Sequence, residues 1–254
     1  APSIVKVLDF TADNDQQPDS KGEYTGATLN AGFLPESFTI CSAIMVDAWT
    51  TWFSSADMFR LQDDDGDRWG NINLFAANSY TEYEVQLGPV SIVKQVEAVF
   101  FPLQWSRACL SLDSIAGKVR LVADGQLLGE EEYKREEDVY RPVNLSLVLG
   151  YEPHNGFESP VKIADLNVFN SSLSVERMIA LTRTGEEECG APGDLLSWEE
   201  AEWTLHSQAK LIEVDSEWEG ACRRESQVQV FTEEFEYHKD CMHHCEKIAN
   251  GRSP

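Results

Sequence analysis

The chain has 254 residues, enough for one large domain with a sizeable hydrophobic core, alone or with a small appendage. Its 20 basic and 44 acidic side chains give a formal net charge of −24. This charge argues against nucleic acid or an anionic membrane surface as the partner, because both need a basic face. No apolar run approaches the roughly 18–20 residues that span a bilayer, so we expect no membrane insertion by this segment.

Short runs of alternating or β-branched residues recur along the first 180 residues and predict an all-β protein. We expect strands at residues 4–10, 38–46, 58–61, 72–76, 82–87, 90–93, 108–112, 119–123, 145–149 and 163–169. Residues 63–67 and 123–126 carry the Asp and Gly residues that are typical of hairpin turns. Many short strands with regular turns favour a two-sheet antiparallel sandwich or a barrel.

One helix is predicted after the strands, over residues 174–183. Ser174 can cap its first turn, and Gly185 follows its last turn. Its apolar positions are spaced to form one face that packs on the sandwich. They are Val175, Met178, Ile179 and Leu181.

The character of the sequence changes after about residue 207. Residues 209–231 alternate again, and residues 232–249 have a helical pattern. We therefore expect a sandwich over residues 1–207 and a cysteine-bearing appendage over residues 208–254. The appendage resembles the opening of a further extracellular module, such as a C-type-lectin-like one.

The cysteines and sequons point to secretion. An even number of widely scattered cysteines fits disulfides formed in an oxidising compartment. The six are Cys41, Cys109, Cys189, Cys222, Cys241 and Cys245. Cys189–Cys222 is a candidate bridge, spacing leaves the pairing open, and zinc is the alternative to disulfides in the tail. N-x-S/T sequons at Asn144 and Asn170 fit a secreted or cell-surface glycoprotein.

A family resemblance centres on residues 107–114, Arg-Ala-Cys-Leu-Ser-Leu-Asp-Ser. They are similar to the pentraxin signature His-x-Cys-x-Ser/Thr-Trp-x-Ser/Thr, with Arg107 in place of the His and Leu112 in place of the Trp. Other segments resemble the family in the same order along residues 1–207. They are residues 38–41, 117–125, 147–150, 163–169, 174–179 and 195–198.

The resemblance to pentraxins implies a two-sheet jelly roll, related to laminin-G and concanavalin-like sandwiches, with one packed helix. It implies that Cys41 is bonded to Cys109, and chain entropy gives a bridge that closes so long a loop about 4 kcal/mol of stabilisation. It also implies that residues 195–198 form the closing strand of the sandwich.

Pentraxins bind ligands through calcium that carboxylates and amides from two loops hold. Glu152 and Glu158 lie where two of the family's acidic ligands fall, but Pro153 and His154 replace the amide and the aspartate that follow the first Glu. The Asp-Asn pair of the family's other loop would fall near residues 69–70, which are Trp and Gly here. The resemblance therefore implies a calcium site that is mostly eroded.

Alternating acids between two predicted strands offer a second candidate calcium site. Asp63, Asp65 and Asp67 resemble the start of a calcium loop, although the downstream bidentate Glu of such loops is absent. The alternative interpretation is a solvated acidic turn. Calcium is thus the one cofactor that the sequence suggests.

No sequence motif of a nucleophile, phosphate loop or metalloprotease occurs, so we expect no enzyme. The first hypothesis is an extracellular recognition module that binds a glycan, a lipid head group or a protein, in a calcium-assisted or calcium-free manner. The second is a structural or regulatory N-terminal ectodomain of a larger cell-surface receptor or ion channel, with no small ligand of its own. The resemblance leaves open a homo-oligomer or a part of a larger chain.

Overall fold

Two antiparallel sheets make up the computed structural model of the chain. The structure describes residues 4–10, 26–46, 54–62, 68–76, 80–87, 90–97, 104–133, 144–150, 161–183, 189–206 and 209–215. Within these ranges, fourteen strands form two seven-stranded sheets. The described part of the chain holds no helix that is long and apolar enough to cross a membrane.

The strands follow the chain with short connections in most places. They are β1 Ile4–Asp9, β2 Gly26–Gly32, β3 Phe38–Val46, β4 Ser54–Gln62, β5 Arg68–Ala76, β6 Tyr80–Leu87, β7 Val90–Glu97, β8 Trp105–Asp113, β9 Lys118–Ala123, β10 Gln126–Glu132, β11 Leu145–Gly150, β12 Val161–Phe169, β13 Thr204–His206 and β14 Lys210–Asp215. The first sheet has the order β10-β9-β8-β3-β12-β1-β14, and the second has the order β13-β2-β11-β4-β5-β6-β7.

The main core lies between the two sheets, because alternate residues of each strand face the opposite sheet. In β8, Ala108, Leu110 and Leu112 belong to this core. Arg107 and Cys109 alternate with them and lie on the outer surface of the first sheet. We call this outer surface the helix-bearing face.

The single described α-helix, α1 Val175–Thr182, packs on the helix-bearing face over β8, β9 and β10. The Ser174 side chain accepts a hydrogen bond from the Arg177 backbone N–H, which confirms the predicted N-cap. Buried Met178 and Leu181 form the predicted apolar face. The helix ends at Thr182, where the Arg183 N–H bonds to a carbonyl of the last turn, so it stops before Gly185, which lies outside the described residues.

The predicted disulfide joins two neighbouring strands beneath α1. Cys41 on β3 and Cys109 on β8 are paired residues of the sheet, and their Sγ atoms are bonded. The bridge closes a loop of 68 residues. Both cysteines pack with Met178 and Leu181 in a second apolar cluster, which ties the helix to the sheet.

The structure confirms the ten predicted strands and adds strands that the sequence pattern did not indicate. The additions are β2, β10 and β13. β2 contains three residues of low strand propensity, two Gly and an Asn, so pairing with β11 and β13 rather than local preference makes it a strand. β14 begins beyond the expected boundary at residue 207 and pairs with β1, so the first sheet extends to Asp215.

The expected closing strand at residues 195–198 was wrong. Leu196 makes one isolated bridge to Val168, and a 3-10 helix, Trp198–Glu200, follows at once. The side-chain carbonyl of Asn167 accepts hydrogen bonds from the backbone N–H groups of Gly193 and Trp198. A side chain therefore satisfies amides that a sheet ladder would otherwise bond, and the segment turns.

Candidate functional site

The residues predicted to bind calcium lie outside the described ranges. They are Asp63, Asp65 and Asp67, between β4 and β5, and Glu152 and Glu158, between β11 and β12. Their role as ligands stays a prediction. Among the residues that the structure describes, no group of three or more His, Cys, Asp or Glu side chains is placed to hold a metal ion.

The strand register places the two acidic stretches relative to each other. β4 ends at Gln62, which pairs with Ser146 near the start of β11. β11 ends at Gly150, on the far side of the same strand pair. The chain therefore enters the two acidic stretches from opposite ends of neighbouring strands, so each stretch has to be tested as a calcium site by itself.

The signature strand β8 holds a buried ion pair on the helix-bearing face. Arg107, which stands where the family has His, is only 4% exposed and pairs through Nη2 with the Asp165 carboxylate. Its backbone N–H donates to Asp124 Oδ1 at 2.8 Å, and its carbonyl accepts from the Asp124 N–H at 2.9 Å. Side chain and backbone of Arg107 are thus both fixed.

Asp165 reaches Arg107 because β12 is irregular at this point. The register of β12 against β3 shifts between Ala164 and Asn167, and Asp165 adopts φ +53°. Asp tolerates this left-handed conformation better than most residues. The Asn167 side chain donates to the Asp165 carbonyl at 3.0 Å and so supports the bulge.

A glycine lets the chain after α1 approach the ion pair closely. Gly190 has φ +69°, and a Cβ there would lie 2.8 Å from Arg107 Nη2 and 2.9 Å from Asp165 Oδ2. The preceding residue, Cys189, is disulfide-bonded, and its partner lies outside the described residues. The predicted pairing with Cys222 stays a prediction.

Asp124 occupies the tight turn between β9 and β10, with φ +46°. Burial raises the pKa of its carboxyl, and the hydrogen bond from the Arg107 N–H opposes that rise. The next residue, Gly125, donates its N–H to Thr182 Oγ1 at 3.1 Å. The turn therefore joins β8 to the C-terminal end of α1.

A second, exposed ion-pair network lies on β9 and β10. Lys118 Nζ is 2.6 Å from Glu130 Oε1, and Arg120 Nε is 2.7 Å from Glu130 Oε2. Hydrogen bonds from Lys118 and then Arg120 lower the pKa of the Glu130 carboxyl. Arg120 also lies 3.6 Å from Asp113.

The chemistry of the helix-bearing face is that of a fastening. Its basic side chains on β8 and β9 bond to acids of neighbouring elements, and Ser111 Oγ bonds to Ser172 Oγ at 2.7 Å. His206 is elsewhere, bonded through Nε2 to Thr28 Oγ1 at 2.9 Å. This face joins the helix and the Cys189 segment to the sheet, and it brings together no nucleophile with a base.

Both sequon asparagines are exposed. Asn144 precedes β11, and Asn170 follows β12 with its backbone N–H bonded to Asp194 at 2.8 Å. An exposed Asn can carry a glycan without repacking of the core. Glycosylation at Asn144 and Asn170 stays a prediction.

The combination of this fold, this disulfide and this helix has a counterpart among known families. The model of the Pentaxin family matches residues 18–212. The chain belongs to the pentaxin family. The resemblance drawn from the sequence is thereby confirmed, and so is the expectation of a non-enzyme, since pentaxins are typically non-catalytic binding proteins.

Solved structures place the chain in the same fold. A native heptameric SAP-like pentraxin from Limulus polyphemus is similar, with a TM-score of 0.65 and 13% identity over 82% of this chain and 94% of that one. The full extracellular region of zebrafish Gpr126/Adgrg6 matches with a TM-score of 0.54 and 14% identity, over 80% of this chain and 26% of that one. No curated protein matches the chain in sequence.

Sequence reasoning found β8 through its cysteine but missed the residues that surround Arg107. Asp165 stood inside a matched segment with no role, and Gly190 was not singled out. One signal was available: a charged residue replaced the family's His in a strand that is otherwise buried. A buried Arg requires an acidic partner, and that requirement could have started a search for one.

Proposed function

We propose that this pentaxin-family chain is an extracellular recognition module that binds a glycan, a lipid head group or another extracellular protein. Family membership is the observation that carries the proposal. The polar residues described on the helix-bearing face are engaged with one another. The ligand-binding role therefore falls to other surfaces, and the acidic stretches are the leading candidates.

An extracellular location is part of this proposal. The Cys41–Cys109 bridge and the bonded Cys189 favour an oxidising compartment. The net charge of −24 supports solubility in that setting and disfavours anionic ligands that are not bridged by a cation. Glycans at Asn144 and Asn170 belong to the same proposal, and intact mass before and after enzymatic deglycosylation tests both.

Calcium is the cofactor that we propose for recognition. Hard cations take six to eight oxygen ligands, and the acidic stretches at Asp63–Asp67 and Glu152–Glu158 supply carboxylates. Neither stretch alone repeats the family's full ligand set. Main-chain carbonyls, water or ligand oxygens would have to complete the coordination.

The test is retention of the full chain on glycan, phospholipid and extracellular-protein surfaces, in calcium and in chelator. We expect retention on one class of surface, reduced by chelator. Two variants separate the stretches: Asp63→Asn with Asp65→Asn and Asp67→Asn, and Glu152→Gln with Glu158→Gln. Glu199→Gln with Glu200→Gln is the control, since both acids are exposed on the 3-10 helix. Retention on none of the surfaces would contradict the proposal.

A second candidate function is a structural or regulatory ectodomain of a larger receptor or channel. The match to the extracellular region of zebrafish Gpr126/Adgrg6 favours it, because this fold occupies only about a quarter of that chain. Here the module would orient its neighbours and bind no small ligand. Full-length transcript and protein size in the source tissue discriminate, since this candidate requires a much longer chain.

A further inference from the structure

Half of the helix-bearing face carries a small apolar cluster that α1 does not cover. The cluster consists of Val7 on β1, Ala43 on β3 and Ala164 on β12, with Trp105 and Ile212 packed against it. Ala43 pairs with Arg107 across β3 and β8, and with Ala164 across β3 and β12, so these side chains share one surface. α1 lies over β8, β9 and β10, at the other side of the sheet.

The cluster is more buried than its neighbours explain. Val7 and Ala43 are 0% exposed and Ala164 is 2% exposed, although all three lie on the outer surface of a sheet. Small side chains on such a surface stay accessible to water unless another part of the protein lies across them. Arg107 and Trp105 flank the cluster, and neither belongs to a layer that spans it.

The disulfide at Cys189 indicates which part of the chain can supply that layer. Cys41 and Cys109 are bonded to each other, so the partner of Cys189 must come from Cys222, Cys241 and Cys245. All three follow β14. Cys189 itself precedes Gly190, which lies against Arg107, the residue paired with Ala43 of the cluster.

The course of the chain agrees with this tether. β14 is next to β1 in the sheet, and Ile212 on β14 packs on the cluster opposite Val7. Residues 216–254 follow β14 directly and include Trp218, Val228, Val230 and Phe231. They lie beyond the match to the family model, which ends at residue 212.

We propose that residues 216–254 dock on the helix-bearing face across the Val7–Ala43–Ala164 cluster and are held there by a disulfide to Cys189. The occupant is thus the chain's own C-terminal segment. Docking covers the apolar cluster and leaves recognition to other surfaces. It also fixes the side of the sandwich from which any following module would continue.

Site-specific photo-cross-linking of the full, oxidised chain tests the proposal. Trp105 is replaced by p-benzoylphenylalanine, an aromatic group of similar size, and the adduct is identified by peptide mass spectrometry. We expect intramolecular adducts within residues 216–254. Ile115, which is 90% exposed in the turn after β8, is the matched control position and should give no such adduct.

A second measurement keeps the test decisive if the Trp105 replacement does not fold. Ile212 takes the same photo-cross-linker on the opposite side of the cluster, and the unaltered chain is digested without reduction to map the Cys189 bridge. Adducts confined to residues 4–215, adducts to a second copy, or a Cys189 bridge to another chain would each overturn the proposal.

Discussion

Two ion pairs lie on the same face of the same sheet, and they differ in how much water reaches them. Arg107 pairs with Asp165 beneath the Cys189 segment, with side-chain exposures of 4% and 26%. Lys118 pairs with Glu130 at the edge of the sheet, with exposures of 27% and 35%. Desolvation makes the first pair interdependent, whereas solvent screening makes the second nearly dispensable.

The comparison teaches that charge on this face has two roles. The buried pair specifies how β8, β12 and the segment after α1 fit together, because each charge needs the other. The exposed pair lies on edge strand β10, whose charged residues Glu130–Glu132 disfavour pairing with another chain. Four substitutions can sharpen or break this distinction.

The largest effect is expected for Asp165→Asn. The amide keeps the tolerance for φ +53° but removes the charge that neutralises Arg107. Loss of one partner of a buried pair costs about 3–5 kcal/mol, and we expect about 3 because Asp165 is partly exposed. Urea unfolding at pH 7 measures it. A cost of no more than about 1 kcal/mol would mean that the pair behaves as a surface pair.

Gly190→Ala should follow, with a loss of about 1–3 kcal/mol. The new Cβ would meet both Arg107 and Asp165 in a left-handed conformation. Gly125→Ala is the matched control: it has φ +75°, but its Cβ would meet the exposed side chain of Arg183, which can move. Thermal melts should rank Gly190→Ala below Gly125→Ala, and the reverse order would contradict the close approach at the ion pair.

Asp124→Asn should raise the free energy of unfolding slightly, by about 0.5 kcal/mol at pH 7. Burial raises the pKa of Asp124 in the folded state, so its charge opposes folding at neutral pH and that cost fades as pH falls through the raised pKa. The gain from Asn should therefore shrink in acid. Asp124→Ala, which also loses the acceptor for Arg107 and the tolerance for φ +46°, should cost about 1–2 kcal/mol instead.

Glu130→Gln should have the smallest effect, too small to resolve in a thermal melt at moderate salt. Bonds from Lys118 and Arg120 lower the pKa of Glu130, so its contribution is present above the unfolded pKa and is lost as pH falls through the folded one. Its pH dependence thus has the opposite sign to that of Asp124. A clear loss at pH 7 that persists in high salt would remove the distinction between the two pairs.

Much of this fold could be predicted from residue patterns, and the misses share a physical cause. Alternation marked the strands with strong β propensity, and the cysteine of β8 led to the family. Non-local contacts decided the rest: β2 is a strand because β11 and β13 pair with it, and residues 195–198 turn because Asn167 bonds their amides. Asp165 meets Arg107 through a bulge 58 residues away, which no local pattern records.

The candidate site divides in the same way. The Cys41–Cys109 bridge could be predicted because the family pattern carries it, and the structure confirms it. The calcium ligands rest on acidic residues in stretches where family and chain diverge, with Pro153 and His154 in place of oxygen donors. Composition can suggest a cation there, but coordination depends on how the carboxylates converge.

The central claim is that the acidic stretches, and not the helix-bearing face, serve recognition. Calorimetric titration of the chelator-stripped chain with calcium, followed by melts with and without calcium, tests it most directly. The account predicts saturable heat and a raised melting temperature, both lost in the acidic-stretch variant that forms the site and kept in the Glu199→Gln and Glu200→Gln control. No heat and no shift would contradict calcium-assisted recognition and favour the ectodomain function.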